Sequence, residues 1–452
     1  MFHVSYFILK SLTQVPTSNP ADTDNSGLCK GIAQPVNDRA IAFFLSTHIF
    51  RDSGPVRGYY EYLPIFHHDP RTDKRLSTAL TAVALAAYAH AFRYPDLLNE
   101  ARNYFGSALH LVNTALSSHK EATKDSTIIS IMLLSTFAAL TCRSQQSLLD
   151  CGTHMDGIIT VTKLRGHRSL ESRNGLQLFL HLFSIIIHSC IYHSVQVPEE
   201  LIKLHNYADT FLDMDNPAWK LLRILIKLAE FRANIRDHIL CDNLAVIEAA
   251  TRIDLELSLL GDQMPVQWQF TTVFMKEKSE LVFGSYYHVY PDLWVAHIWN
   301  TLRTSRLLLN EEIRKQLEGM PSFPRVHSPI KAINNQILTN ARQQITLDIC
   351  ATIPQYSGHL SMLLSSPTQA QRSILPENVR FPSLFANDDI PLPAAVYFFL
   401  CPLLLAGHMA DSDIQRDWIS HSSRLLGQIT GIQQAFGIAH VVKGSQNISV
   451  SL

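Results

Sequence analysis

The sequence predicts an all-α protein, a large multi-helix body with irregular loops. Three observations predict it. Apolar residues recur at helical spacing in segment after segment, and strict alternation is nearly absent, 447–452 being the one stretch that offers it. The breaks between segments fall at proline and glycine, the residues that stop helices.

Residues 11–38 are rich in Ser, Thr, Asn, Asp, Pro and Gly and read as a linker or mobile arm. Order is expected from Asp38, with an apolar, aromatic segment at 39–48 broken by Gly54, Pro55 and Gly58. The segment 76–93 is Ala/Leu-rich and made of good helix formers, and Pro95 stops it. The next helix starts at Pro95, which costs nothing in a first turn, and carries the stripe Leu97, Ala101, Tyr104, Ala108, Val112 and Ala115. Asp125 or Ser126 is placed to cap a third helix running to Leu140. A fourth spans 148–164 and ends at Gly166 as a left-handed cap.

The most apolar stretch, 176–192, contains Gln177, His181 and His188 and is short for a membrane span, so it is expected to be a core helix broken by Pro198. Helical pattern continues over 199–213, 218–240, 242–260, 294–317 and 330–353. Five prolines make 354–391 an irregular connection, and a final helical block covers 394–442. The domain reading is an arm at 1–37, a helical body at 38–445, which a division near 260–290 would split into two layers, and a tail at 446–452. No fixed-period repeat points to a solenoid.

Hydrophobic residues are 46% of the 452 and charged residues 17%, against about 25% in an ordinary domain. A large core is affordable, and some apolar surface is expected to serve partners. Lys plus Arg is 38 and Asp plus Glu 39, with no basic stripe. Phosphate-backbone affinity comes mostly from such a stripe, so autonomous nucleic-acid binding by this polypeptide is not expected. The seven cysteines include no C-x-x-C and fit neither a disulfide framework nor a zinc site, so they read as buried or free thiols. The opening MFHVSYFILKSL has no basic n-region and no cleavage site, and no signal peptide is expected.

Few residues suggest chemistry. His154 and Gly157 lie on adjacent turns, and Arg165-Gly166 ends their helix. The expected roles are structural: Gly157 lets another backbone approach, Arg165 bonds the last carbonyls, and Gly166 supplies positive φ. Cys151 or Asp150 with His154 has helical ligand spacing, but a metal needs three or four ligands. His181 and His188 share one face, where core histidines are the ordinary case and a small-molecule pocket or proton chemistry the sharper ones. Trp294, Ile298, Leu302 and Leu309 form a stripe that suits a core or a partner groove, with Trp299, Arg303 and Arg306 off it. No G-x-G, P-loop or G-x-S-x-G motif occurs; His67-His68 is not H-E-x-x-H, and Asp388-Asp389 lacks a third acid. No catalytic, cofactor-binding or metal residue is nominated.

A set of short patterns in fixed order carries the strongest signal. They are PVNDRAIAFFLSTHIF, GYYEYLP, LSTALTAVALAAYAHA, EARNYFGSALHLVNTAL, DSTIISIMLLSTF and HMDGIITVTKLRG, then LWVAHIWNTLRTSRLLLNEEI, LDICATIPQYSGH and a last stretch at 401–444. That stretch has Pro402, Leu403, Ala406, Gly407, Trp418, Gly431, Ile432 and Ala435 in place. Over about 35–444 the chain resembles the regulatory region of fungal zinc-cluster transcription factors.

The resemblance implies a nuclear, non-enzymatic transcriptional regulator of a metabolic or secondary-metabolite pathway. It implies a homodimer or a partner transcription factor, a small-molecule effector, and no membrane. The six-cysteine zinc module of such regulators is not in this chain, where only Cys29 precedes Cys142. The expectation is a module encoded by a missing upstream exon, with DNA otherwise reached through a partner. An all-helical enzyme or small-molecule-binding protein is the alternative.

Overall fold

The computed structural model describes residues 34–49, 60–68, 73–142, 155–319, 328–360, 363 and 393–444. Helix α1 (Val36–Thr47) and the short α2 (Leu63–His68) lead to α3 (Lys74–Phe92). The Asp73 carboxylate accepts from the Arg75 amide and starts α3, and Arg93, left-handed at φ 58°, ends it. Its many alanines let neighbouring helices come close, and α1, α4 (Pro95–Leu116) and α6 (Asp125–Thr141) all pack onto it. The short α5 (His119–Ala122) joins the last two.

The expected side-chain cap of α6 is not there. The N-cap position is Lys124, with no capping bond. Asp125 instead takes the guanidinium of Arg165, and the Ser126 hydroxyl donates to Asp73 Oδ2 at 3.1 Å. Both side chains are spent on tertiary partners.

Helix α7 (Met155–Arg165) ends at Gly166, whose φ is positive as expected. Its ψ of −174° puts it outside the left-handed helical well, in a region only glycine visits, and it opens a 3₁₀ turn at 167–171. Arg165 goes to Asp125, not to the final carbonyls of its helix. Gly157 is exposed, and among the described residues a Cβ built there meets nothing within 4 Å, so none of their backbone approaches it. Asp150, Cys151 and His154 lie outside the described residues.

Helix α8 (Arg173–His193) is capped by the Ser172 hydroxyl, which accepts from the Gly175 amide at 3.1 Å. It stops at Ser194, left-handed at φ 54°, ahead of Pro198. It is long and apolar enough to cross a membrane, yet 67% of its apolar window is buried in the protein, against α10 (Pro217–Arg236) and α7 above all. Between α8 and α10 lies α9 (Glu199–Ala208). There the ring of His205 stacks on the fully buried Trp219 at 4.1 Å, and the Trp219 indole donates to Asp209 at 2.8 Å.

Helix α11 (Asn243–Asp262) precedes two strands absent from the sequence-based expectation, β1 (Thr271–Phe274) and β2 (Tyr286–Val289). They pair antiparallel, Thr271 opposite Val289 and Phe274 opposite Tyr286. Strands this short offer only two cycles of alternation, too few to stand out. Residues 447–452 lie outside the described residues.

Helix α12 (Leu293–Gly319) lies against α10, α11, α13 (Ser328–Cys350) and α15 (Pro393–His408). Pro354, expected in a loop, sits in the short α14 (Ile353–Tyr356), in the first turn, where proline fits. The last helical block is α15, α16 (Asp413–Thr430) and α17 (Gln434–Gly444).

One buried apolar cluster runs from Ala40 to Val442, and a small second one gathers Val282, Tyr287, Val289 and Leu360 under the hairpin. The last described helices pack on early ones: α16 touches α3 and α17 touches α6. Gln433 Nε2 donates to His90 Nδ1 at 3.2 Å, across 343 positions of sequence. Among the described cysteines, Cys142, Cys190, Cys241 and Cys350 are free thiols.

Candidate functional site

A cavity of about 50 Å³ is bounded by α8, α10, α12, α15 and the turn Tyr60–Tyr62. Amphipathic helices meeting at one point leave apolar walls, here Leu180, Leu222, Leu225, Ile298 and Phe398. The polar groups come from three places. Helix α8 supplies His181 and His188, α12 supplies His297 and Thr301, and the turn supplies two tyrosines and Glu61. The spacing of His181 and His188 put them on one face, and the structure brings both to this wall.

The turn is held in an unusual conformation. Tyr60 has φ 61°, although its side chain is bulky and buried. Non-glycine residues adopt this region only where their surroundings compel it. The Leu63 amide donates to the Tyr60 carbonyl at 2.8 Å, and the Tyr60 hydroxyl bonds Thr136 Oγ1 at 2.9 Å. Tyr62 reaches His181 Nδ1 at 2.9 Å. Gln177 Nε2 donates to Glu61 at 3.2 Å.

The three imidazoles differ in their partners. His188 Nδ1 lies 2.6 Å from the Ser184 carbonyl, so Nδ1 carries the proton. His297 lies one contact away, with ring centroids 6.5 Å apart, and packs on Phe398 at 4.5 Å. Its Nδ1 is buried and has no hydrogen-bond partner among the described residues. Burial holds all three rings neutral. It pushes His181 and His297 down to about 3, the neighbouring His188 adding to the effect on His297, and it lowers His188 despite the Ser184 bond.

No lysine or arginine is among the residues that line the cavity. Among the described residues no group of three His, Cys, Asp or Glu side chains converges to hold a metal. The arrangement can enclose a small neutral molecule and hydrogen-bond it.

A second polar cluster lies on the other side of α12. The buried Arg303 guanidinium donates to the Tyr290 hydroxyl, to Asn300 Oδ1 at 3.2 Å and to His288 Nδ1 at 3.2 Å. Its charge faces the Phe270 ring at 5.0 Å and the Trp299 ring at 5.6 Å. Burial, and then the charge of Arg303, hold His288 down to about 2. The His288 amide donates to the Ala351 carbonyl at 2.9 Å, so this cluster ties the hairpin to α12 and α13. It is a structural lock.

The Trp294 stripe belongs to the core and the cavity. Trp294 and Ile298 line the cavity, while Leu302 and Leu309 are buried. Trp299 donates to the Trp268 carbonyl at 2.7 Å, and Arg306 pairs with Asp254 at 2.8 Å. The reading from sequence missed Tyr60, Tyr62, His297, Thr301 and Phe398 as site residues. The GYYEYLP pattern was a signal for the first two. His297 and Phe398 had none, because only the tertiary crossing of α12 and α15 brings them to α8.

Residues 46–215 match the sequence profile of the fungal specific transcription factor domain, a run that takes in α2 to α9 whole and only the last two residues of α1. Neither the curated proteins nor the solved structures give a match.

Proposed function

We propose, from the match of residues 46–215 to the fungal specific transcription factor domain, that the chain is a nuclear regulatory protein of a fungus that controls a metabolic or secondary-metabolite pathway. The match is the observation that carries this reading, and the almost wholly helical body agrees with it. The body acts as a receiver of a signal, in a homodimer or with a partner transcription factor, and is not an enzyme. DNA is reached through that partner or through a zinc-cluster module, since the balance of 38 basic and 39 acidic residues gives this polypeptide no basic stripe of its own.

Deleting the gene and sequencing transcripts tests the reading, together with a fluorescent fusion expressed from the native locus. The expected result is nuclear fluorescence and a coordinated change in a small set of functionally related genes. An unaltered transcriptome combined with fluorescence excluded from the nucleus would refute it. Purified protein should give no sequence-specific gel shift at about 0.15 M salt, where screening leaves little non-specific binding to a near-neutral surface.

A further inference from the structure

We propose that the cavity between α8, α10, α12 and α15 is a binding site for a small, neutral, hydroxyl-bearing organic molecule with an aromatic body, of the phenol class. The reading of the chain as a regulator is needed only to name this ligand an effector; the binding itself stands on the geometry.

His297 is 6% exposed and lines the cavity, and its Nδ1 has no hydrogen-bond partner among the described residues. A buried polar atom without a partner is costly and rare, and a ligand atom is one way to satisfy it. The surrounding imidazoles are neutral, as their burial requires. A neutral imidazole presents a donor or an acceptor according to tautomer, and a hydroxyl answers either. Thr301, one helical turn beyond His297, offers a second hydroxyl on the same wall.

Charge selects against other ligands. An anion would enter a cavity with no lysine or arginine on its wall and lose its hydration unpaired. The one carboxylate on the wall, Glu61, is engaged by Gln177. The walls favour a ring: Phe398 and Trp294 flank His297 at 4.5 and 5.3 Å, and Leu222, Leu225 and Ile298 complete the apolar side.

Size sets the body. The cavity of about 50 Å³ is a fraction of the roughly 150 Å³ apolar cavity that accepts benzene. One ring enters only if a partly exposed wall residue such as Trp294 rotates to make room, and nothing of drug size enters. The strained Tyr60 backbone lies on the same wall, where such conformations tend to accompany ligand sites.

Calorimetric titration of the purified full chain with phenol, benzene, benzoate and benzylamine tests the proposal. Phenol should bind at one saturable site with a Kd on the order of 0.1 mM, as a ligand of this size allows. Benzoate and benzylamine should bind at least tenfold more weakly. His297→Leu should weaken phenol at least tenfold, to the level of benzene, and leave benzene unchanged. Leu222→Phe, which fills the cavity without removing a polar group, should abolish binding of both. Absence of saturable phenol binding, equal binding of either charged analogue, or unchanged phenol affinity in a folded His297→Leu protein would overturn it. If His297→Leu does not fold, unchanged affinity in Leu222→Phe overturns it. A failed reporter response to phenol in cells, with binding intact, would count against the regulatory reading and leave the site standing.

Discussion

A Cβ placed on Gly407 would stand 2.5 Å from Cγ2 of Val442. Helices α15 and α17 thus touch backbone against side chain at this point, and both residues are buried. Gly407 belongs to the Pro-Leu-x-x-Ala-Gly pattern read from the sequence, and close approach is its physical reason. Gly407→Ala should destabilise by about 1–3 kcal/mol, because the branched Val442 cannot rotate clear. Gly407→Ala with Val442→Ala should recover a good part of that loss, giving a coupling of at least about 0.5 kcal/mol in a double-mutant cycle by urea unfolding. Strict additivity would show that the two helices separate freely.

Gly157 behaves oppositely. It is a helical glycine in open space. Gly157→Ala should leave stability unchanged or raise it by about 0.5–1 kcal/mol, through reduced backbone freedom of the unfolded chain. Gly157→Leu should also be tolerated. A fall in melting temperature of more than a few degrees in either variant would mean that this helix face packs against something.

Acid should weaken the fold well above the carboxylate range. Burial holds His48, His181 and His297 at about 3, and His288 at about 2 with help from Arg303, whereas an unfolded histidine titrates near 6.5. Between these values the unfolded chain binds more protons than the folded one. Stability is therefore complete above pH 6.5 and falls as pH drops toward 3. At pH 5.5 each such histidine costs on the order of 1 kcal/mol. Unfolding free energies at pH 7.5, 6.5 and 5.5 should decline accordingly, and His181→Leu should flatten the curve. A flat wild-type profile over this window would mean that the rings are hydrated.

Arg303→Ala should cost about 2–4 kcal/mol, since it strips the donors from Asn300, Tyr290 and Thr352 in a buried setting. Arg303→Lys should recover little, because an ammonium cannot reach Asn300 and His288 with one fork. Hydrogen exchange at the His288 amide, which bonds Ala351, should accelerate in both. Preserved protection there would separate the hairpin from the guanidinium.

Helices were legible because each long apolar stripe repeats at 3.6 residues, as in α4, and because proline marked where α4 begins. Caps were less legible. Asp125 and Ser126 have the right chemistry for a cap, yet partners on α7 and before α3 claim them. The stops at Arg93 and Ser194 use left-handed non-glycine residues, for which the sequence has no marker. Of the cavity, the α8 histidines could be paired by spacing. His297 and Phe398 join them only through helix crossings between segments far apart in sequence, which local periodicity does not encode.

The bond from Gln433 to His90 has a consequence for how the protein is made. During synthesis at about 5–20 residues per second, the faces of α3 and α6 that α16 and α17 cover wait tens of seconds for their partners. For that interval the ribosome carries a nascent chain with open apolar grooves, a natural client for a holding chaperone. A message cut short before the last two helices would yield a product that never closes, so the cell's proteases, more than any loss of a single contact, would decide its abundance.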